Sequence, residues 1–339
     1  MTRLRILVTT TSLQDTPGHH HTMLERQGFD IVYARGPLDE CAMLGCAGDF
    51  DAVLCGDDAL TETVLRRAQP RLKLISKYGV GVDRIDFEAA RRFGMTVANC
   101  AGVNAVTVAE QVMGLMLAGA RNLVLQADYV AHGQWRRMTG HDLAGKTLGI
   151  VGLGRVGLEV AIRAGAFGMH LLGFDPHWPR AFADRHGIRR AEPISALWRA
   201  AGIVSLNCAL NEETRKMINA DAISQMRRGV MIVNCARGGL VDSKAMRQAL
   251  ESGAVGLYAA DVLDEEPPAP NHVLLNASNC MVTPHIASRT YENIERQAVM
   301  AVDNLLWIGN SIALSDLSSG KQYPMAVCLA RLVHCFLWF

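Results

Sequence analysis

The chain has 339 residues, half of them hydrophobic and a fifth charged, with 34 Lys and Arg against 33 Asp and Glu. That length accommodates two domains with ordinary cores, and a formal net charge of +1 excludes the broad basic footprint of a nucleic-acid binder. The nine cysteines are scattered and odd in number, and Cys41 and Cys46 have no partner pair at zinc-site spacing, so they read as free thiols of a reducing compartment and the expected location is cytoplasmic.

Taken in chain order, Met1-Thr2-Arg3-Leu4-Arg5 runs straight into Ile6-Leu7-Val8, too short an apolar core for a signal peptide and better read as a first strand. His19, His20 and His21 follow Pro17-Gly18 and are expected as a solvated loop, with metal binding the competing reading. Strands are expected at Arg5–Val8, Asp30–Tyr33, Ala52–Cys55, Leu72–Ser76 and Thr96–Ala98, with helix-like segments such as Thr61–Ala68 and Asp86–Phe93 between them. This βαβ rhythm implies a parallel sheet with helices on both faces.

A long helical stretch follows. Thr107-Val108-Ala109-Glu110 reads as a capping box, Thr107 capping and Glu110 reaching back. Val112, Leu115, Met116 and Leu123 continue at helical spacing, and His132-Gly133-Gln134-Trp135 breaks the pattern. A second strand series comes next: Thr147–Val151, His170–Phe174, Ile203–Asn207, Val230–Asn234, Gly256–Ala260 and Met281–Thr283. A last helix, Tyr291–Trp307, leads to a polar turn at Ser315–Ser319. The end, Met325–Phe339, is apolar except for Arg331 and His334; it is too short to span a membrane, as is every other apolar run, and reads as a packed helix or a subunit contact, with a membrane-surface segment as a third reading. The order of elements gives an α/β fold of two doubly wound parallel-sheet lobes. The second lobe, 107–288, is inserted in the first, 1–106 with 289–339, and the long helices at its ends would act as hinges around a cleft that holds the chemistry.

Gly152-Leu153-Gly154-Arg155-Val156-Gly157 directly follows the strand Thr147–Val151 and precedes a helical stretch. In that context Gly152 permits a tight turn, Gly154 lets backbone approach a pyrophosphate, and Gly157 lets helix pack on strand. With Arg155 and Val156 these residues would present a helix N-terminus to the anion; the alternative is a glycine turn of an unrelated α/β protein. Asp175 ends the next strand, about 20 residues beyond the glycines, where a carboxylate accepts hydrogen bonds from ribose hydroxyls. No arginine follows it, Pro176-His177-Trp178 coming next, so NAD is expected over NADP; the alternative is a strand-end turn residue.

Three further segments, Asn234-Cys235-Ala236-Arg237-Gly238-Gly239-Leu240-Val241-Asp242, Ala260-Asp261-Val262-Leu263-Asp264-Glu265-Glu266-Pro267 and Thr283-Pro284-His285-Ile286-Ala287, are similar to those of the D-isomer-specific 2-hydroxyacid dehydrogenases. The resemblance runs from the first strand to about residue 310, includes Lys77-Tyr78-Gly79-Val80-Gly81-Val82-Asp83 and Asn104, and leans to the phosphoglycerate dehydrogenase branch. It implies a Rossmann-type cofactor domain inserted in a flavodoxin-like substrate domain, and a homodimer whose hinge-helix region includes Trp135; the alternative is a Trp buried in its own subunit.

The resemblance also implies roles. His285 matches the acid/base, a task suited to imidazole near neutral pH. Glu266 matches its paired carboxylate, and Arg237 the residue that binds the substrate carboxylate and polarises the carbonyl, for which a planar, always charged guanidinium suits. Asp261 and the Cys235 carbonyl match groups that orient the nicotinamide, Asp261 being otherwise a helix cap. Backbone N–H groups of Val80 and Gly81 would cradle the carboxylate. Lys77 would add charge there or be an exposed strand-end lysine, and Asn104 would touch substrate or only hydrogen-bond its loop.

Two departures stand out. Asn207-Cys208-Ala209-Leu210 replaces the family's His-x-Pro-Leu segment beside the cofactor, and the tail beyond about Ser311 leaves the family pattern. The expected activity is hydride transfer between NAD(H) and a 2-hydroxy or 2-oxo acid, with 3-phosphoglycerate as one substrate and hydroxypyruvate or glyoxylate as the alternative. A 3-phosphate would need basic groups, for which Lys77, Arg136 and Arg137 are the candidates. The competing class is a non-catalytic, NAD-sensing, co-repressor-like protein. No metal, nucleic acid or membrane span is expected.

Overall fold

The computed structural model describes the backbone of residues 3–315 and side chains as far as Leu306; the expected tail helix 325–339 and most of the turn at 315–319 lie outside the described residues. The chain divides into two units, residues 1–104 with 290–339, and residues 105–289.

In unit 1 the elements are β1 (Arg5–Val8), α1 (Thr11–Asp15), α2 (His19–Arg26), β2 (Asp30–Tyr33), α3 (Glu40–Cys46), β3 (Ala52–Cys55), α4 (Glu62–Arg67), β4 (Leu74–Lys77), α5 (Phe87–Arg92) and β5 (Thr96–Asn99). The five strands pair in the order β2-β1-β3-β4-β5, all parallel, the doubly wound order that reverses between β1 and β3. Successive side chains alternate between two cores. Ile6, Val8, Ala52 and Leu54 face one that the last helix covers; Leu7, Val53, Cys55 and Ile75 face another under α3, α4 and α5. The helices start where short polar side chains accept an otherwise unpaired N–H: Asp39 from Ala42, Thr61 from Val64 and Asp86 from Ala89, each cap contributing about 1 kcal/mol.

Unit 2 runs α6 (Ala105–Ala120), α7 (Leu123–Ala131), β6 (Thr147–Val151), α8 (Arg155–Ala166), β7 (His170–Phe174), α9 (Arg180–His186), β8 (Arg189–Arg190), α10 (Ile194–Ala200), β9 (Ile203–Leu206), α11 (Ala220–Ser224), β10 (Val230–Asn234), α12 (Ser243–Glu251), β11 (Val255–Ala260) and β12 (Cys280–Val282). Its parallel sheet has the order β12-β11-β10-β9-β6-β7-β8, which reverses between β9 and β6. Strand β8, two exposed arginines, escapes a sequence reading because it carries no apolar pattern. Helix α13 (Tyr291–Ser315) returns the chain to unit 1, where Ala298, Ala301, Val302 and Leu305 are buried.

Four expectations are corrected. Helix α6 begins at Ala105, so Thr107 lies inside it and is buried, while Glu110 pairs with Arg163 of α8 at 3.5 Å; the capping box is not formed. Leu123 does not extend the buried stripe: the helix breaks at Asn122, whose φ is +52°, and Leu123 is exposed on α7. His19, His20 and His21 form the first turn of α2, not a loop, and His20 is buried. Strand β4 starts two residues later than expected and ends on Lys77.

Candidate active site

The glycine loop occupies the point in unit 2 where strand order reverses, between β6 and β9, outside their carboxyl ends, where open α/β sheets hold ligands. Gly152 has φ +90°, and a Cβ at Gly157 would lie 2.0 Å from the Gly152 carbonyl oxygen, so only glycine lets α8 start this close to β6. A Cβ at Gly154 would meet nothing within 4 Å: that edge of the loop, with exposed Arg155 and half-buried Val156, is open above the first N–H groups of α8. Asp175, just after β7, accepts hydrogen bonds from Leu153 N and His177 N, both at 2.7 Å, and so sits against the loop. An open cradle at a helix N-terminus beside a fixed carboxylate fits a dinucleotide.

The Asn207-Cys208 segment borders that cradle, since a Cβ at Gly152 would lie 2.7 Å from Cys208 N and 2.8 Å from Asn207 O. The Asn207 amide turns back to the Ser205 carbonyl at 3.2 Å and hydroxyl at 3.0 Å. The Cys208 thiol packs against the Met217 sulfur at 3.8 Å, and burial pushes its pKa up to about 11.

Residues 234–240, 261–266 and 283–287 converge at the ends of β10, β11 and β12. Buried Asn234 holds the first turn, accepting from Ala236 N at 3.0 Å and donating to the Arg237 carbonyl at 2.9 Å. Arg237 follows, its Nη1 donating to the Ala236 carbonyl at 2.7 Å. A Cβ at Gly238 would lie 1.9 Å from the Leu263 carbonyl carbon, so glycine there lets the Arg237 turn lie flat against the segment that carries Glu266. Cys235, between Asn234 and Ala236 in sequence, packs against the sheet core, and burial raises its thiol well above the ordinary range.

His285 Nδ1 donates to Glu266 Oε2 at 2.7 Å, and Glu266 Oε1 accepts from Leu263 N at 2.9 Å. The carboxylate is thereby fixed at both oxygens, and the imidazole is held as the Nδ1–H tautomer or as imidazolium. His285 has φ +52°, a left-handed conformation that costs about 1 kcal/mol. The Asp261 carboxylate, 1% exposed, holds it there. It accepts from the Thr283 hydroxyl, from Ile286 N at 2.9 Å and from Ala287 N at 2.7 Å, while the Asp261 carbonyl accepts from His285 N at 2.9 Å. Asp264 is anchored in turn by Ser243 at 2.6 Å and His272 at 2.9 Å; burial opposes its ionisation, but these donors win and its pKa falls.

In unit 1, the Gly79-Val80-Gly81 loop follows β4. Its carbonyls are tied to the end of β5: Gly79 O accepts from Cys100 N at 2.9 Å and Val80 O from Asn99 Nδ2 at 2.9 Å. Lys77 is neither an exposed strand-end lysine nor a cation aimed outward. It is 4% exposed and donates to Asp57 at 3.0 Å and to the Tyr78 carbonyl at 3.1 Å. Asn104 is half-buried in the turn before α6. Trp135 is 79% exposed, so it is not buried in its own unit, and Arg136 stacks over Tyr129 at 5.0 Å. The sequence reading quoted Asn234 within its motif but gave it no role, though a polar residue ending a buried strand was the signal, and it passed over Asp57, one of the acidic pair Asp57-Asp58 just beyond β3.

Residues 113–287 match the family model described as the D-isomer specific 2-hydroxyacid dehydrogenase, NAD binding domain. The chain is 43% identical to a D-3-phosphoglycerate dehydrogenase of Methanocaldococcus jannaschii over 69% of its own length and 44% of that protein. It is 38% identical to a glyoxylate reductase of Korarchaeum cryptofilum over 82% and 85%. The chain spans about half the length of the archaeal D-3-phosphoglycerate dehydrogenases it matches. Among solved structures it resembles the TT0316 protein of Thermus thermophilus, with a TM-score of 0.81 at 35% identity, covering 91% of this chain and 97% of that one. The two parallel-sheet units, the glycine loop and these matches agree: the chain belongs to the D-isomer specific 2-hydroxyacid dehydrogenase family and carries its NAD-binding domain.

Proposed function

We propose that this protein is an NAD-dependent dehydrogenase of 2-hydroxy acids, with His285 as acid/base, Glu266 as its partner and Arg237 as the substrate carboxylate's ligand. The observation that carries the reading is the 2.7 Å bond from His285 Nδ1 to a Glu266 carboxylate that a backbone N–H also holds. With Nδ1 engaged by Glu266, proton exchange with a substrate falls to Nε2.

A nicotinamide held there would supply or accept the hydride at the substrate's C2. Gly152, Gly154, Arg155, Val156 and Gly157 would hold its pyrophosphate, Asp175 its ribose, and Cys235 and Asp261 its nicotinamide end. In the reductive direction His285 gives its Nε2 proton to the C2 oxygen as negative charge grows there. Arg237 steadies that charge and the carboxylate with a planar fork. In the oxidative direction neutral His285 takes the hydroxyl proton. Val80 and Gly81 would bind the carboxylate through backbone N–H groups, with Asn104 nearby in sequence at the end of the same unit. The names of the relatives, phosphoglycerate dehydrogenase and glyoxylate reductase, share a carboxylate beside a C2 oxygen, and this common part is what these residues suit. We further read the protein as a homodimer through α7 and the segment around Trp135, whose apolar side chains are exposed.

An oxidation assay with NAD and a panel of D-2-hydroxy acids tests the reading. Turnover of at least one acid is expected. Arg237→Ala is expected to abolish it, by about 100-fold or more, with NAD affinity intact. NAD binding without turnover of any acid would favour the sensing role instead, and loss of NAD affinity in Arg237→Ala would overturn its assignment to substrate.

A further inference from the structure

We infer that the carboxylate loop of unit 1 serves an unphosphorylated 2-oxo acid, and that Asp57, held by Lys77, rejects a substrate with a second anion at C3; this rests on the dehydrogenase reading above. The sheet of unit 1 reverses its strand order between β1 and β3, and ligands of such sheets sit outside the strands' carboxyl ends at that point. The segments there are Thr9-Thr10 after β1, Gly56-Asp57-Asp58 after β3, and the Gly79-Val80-Gly81 loop after β4.

The turn that presents Asp57 is built. Asp58 is buried and accepts from the Thr9 hydroxyl, from Gly56 N at 2.9 Å and from Leu38 N at 2.7 Å. The turn is also laced to the carboxylate loop. Tyr78 N donates to the Cys55 carbonyl at 2.8 Å, and Lys77 Nζ bridges the Asp57 carboxylate and the Tyr78 carbonyl. Nζ lies 3.6 Å from where a Cβ on Gly79 would be, beside the neutral Gln297 of α13.

Two consequences follow from charge. The Lys77–Asp57 pair is neutral as a whole, but its cationic end is the enclosed one, 4% exposed, and Lys77 cannot meet a phosphate without leaving both acceptors. Asp57, by contrast, has a side chain 59% exposed next to the loop. A phosphate ester carries about −1.5 to −2 at neutral pH, and an exposed carboxylate beside the loop supplies the repulsive element that selectivity needs. Arg84 stands between Asp83 and Asp86 in sequence, and Asp86 is committed to capping α5. The segments around the loop thus carry Asp57, Asp58, Asp83 and Asp86 against Lys77 and Arg84. A hydroxymethyl group can instead donate a hydrogen bond to Asp57, which matches hydroxypyruvate.

The test compares NADH-dependent reduction of hydroxypyruvate and of 3-phosphohydroxypyruvate. The wild type is expected to favour the unphosphorylated acid in kcat/KM by about 100-fold or more. Asp57→Asn should shrink that ratio by about tenfold or more, chiefly by improving the phosphorylated acid, while Asp57→Glu retains the preference. Comparable kcat/KM for the two acids, or an unchanged ratio in Asp57→Asn, would overturn the proposal. Calorimetric titration of both acids into NADH-loaded protein separates the two readings. Selective binding of hydroxypyruvate without turnover would sink the dehydrogenase reading and leave this one standing, whereas equal binding would sink this one.

Discussion

At the scale of single residues, two kinds of polar side chain behave differently once buried. Asp261 and Asn234 were legible as members of motifs, but their work was not: each spends its polar atoms holding a backbone turn that aims a neighbour, His285 and Arg237 respectively. Their partners lie up to 26 residues away, beyond any local spacing rule. His20 shows the opposite outcome. It is fully buried, with Nε2 3.0 Å from the Leu13 carbonyl and no hydrogen-bond partner for Nδ1. Burial lowers its pKa below the ordinary 6.5; the Leu13 carbonyl and Glu295 oppose this, and the adjacent His21 and His19 reinforce it. In the unfolded chain the imidazole titrates at its ordinary value, so below 6.5 the unfolded state binds more protons. Stability from this group is therefore complete above pH 6.5 and declines as pH falls toward and through the depressed folded value, by about 1.4 kcal/mol per unit of depression. Urea midpoints between about pH 7.5 and pH 5.5 should fall more steeply for the wild type than for His20→Gln, and parallel slopes would refute the assignment.

At the scale of elements, most strands were legible because parallel strands covered on both faces read as short apolar runs; β1, β2, β3, β6, β7 and β10 fall where the sequence puts them. Helix ends were less legible. Thr107 and Glu110 have the spacing of a capping box, yet packing of α6 on α8 places that spacing inside the helix, where Glu110 meets Arg163 instead. Helix α7 follows the break at Asn122 and buries none of its residues. Leu123, Val124, Leu125 and Val130 are exposed on it, with Trp135 and Met138 just beyond. Such exposed apolar side chains are what a subunit contact would bury, and a tryptophan beside them would carry much of its energy. Sedimentation should give a dimer, and Trp135→Glu should weaken it by about 2 kcal/mol or more without altering the far-ultraviolet dichroism. A monomeric wild type would remove α7 from consideration as a subunit contact.

At the scale of the whole molecule, two parallel sheets, of five and seven strands, send different loops from their carboxyl ends, and the glycine loop leaves the sheet of unit 2. NAD bound at the glycine loop should therefore protect unit 2 preferentially. At a hundredfold excess over Kd it adds about 2.7 kcal/mol, which raises the thermal midpoint of a unit this size by about 5–10 °C. Hydrogen exchange should slow most at residues 152–157 and 175–177, with β1 to β5 little changed; uniform slowing without an excess at the glycine loop would contradict this. No described helix is long and apolar enough to cross a membrane, and the seven described cysteines are free thiols. The sequence by itself determined the two α/β units and the dinucleotide loop, because periodicity and glycine requirements are local and survive without coordinates; it offered Arg237, Glu266 and His285 as candidates through motif resemblance. Only the tertiary structure decided that Lys77 is a buried partner of Asp57, that His20 belongs to the core, and that Asp261 holds the His285 loop. Those facts depend on register between strands and on which side chains share a buried space, and a local pattern carries no information about either.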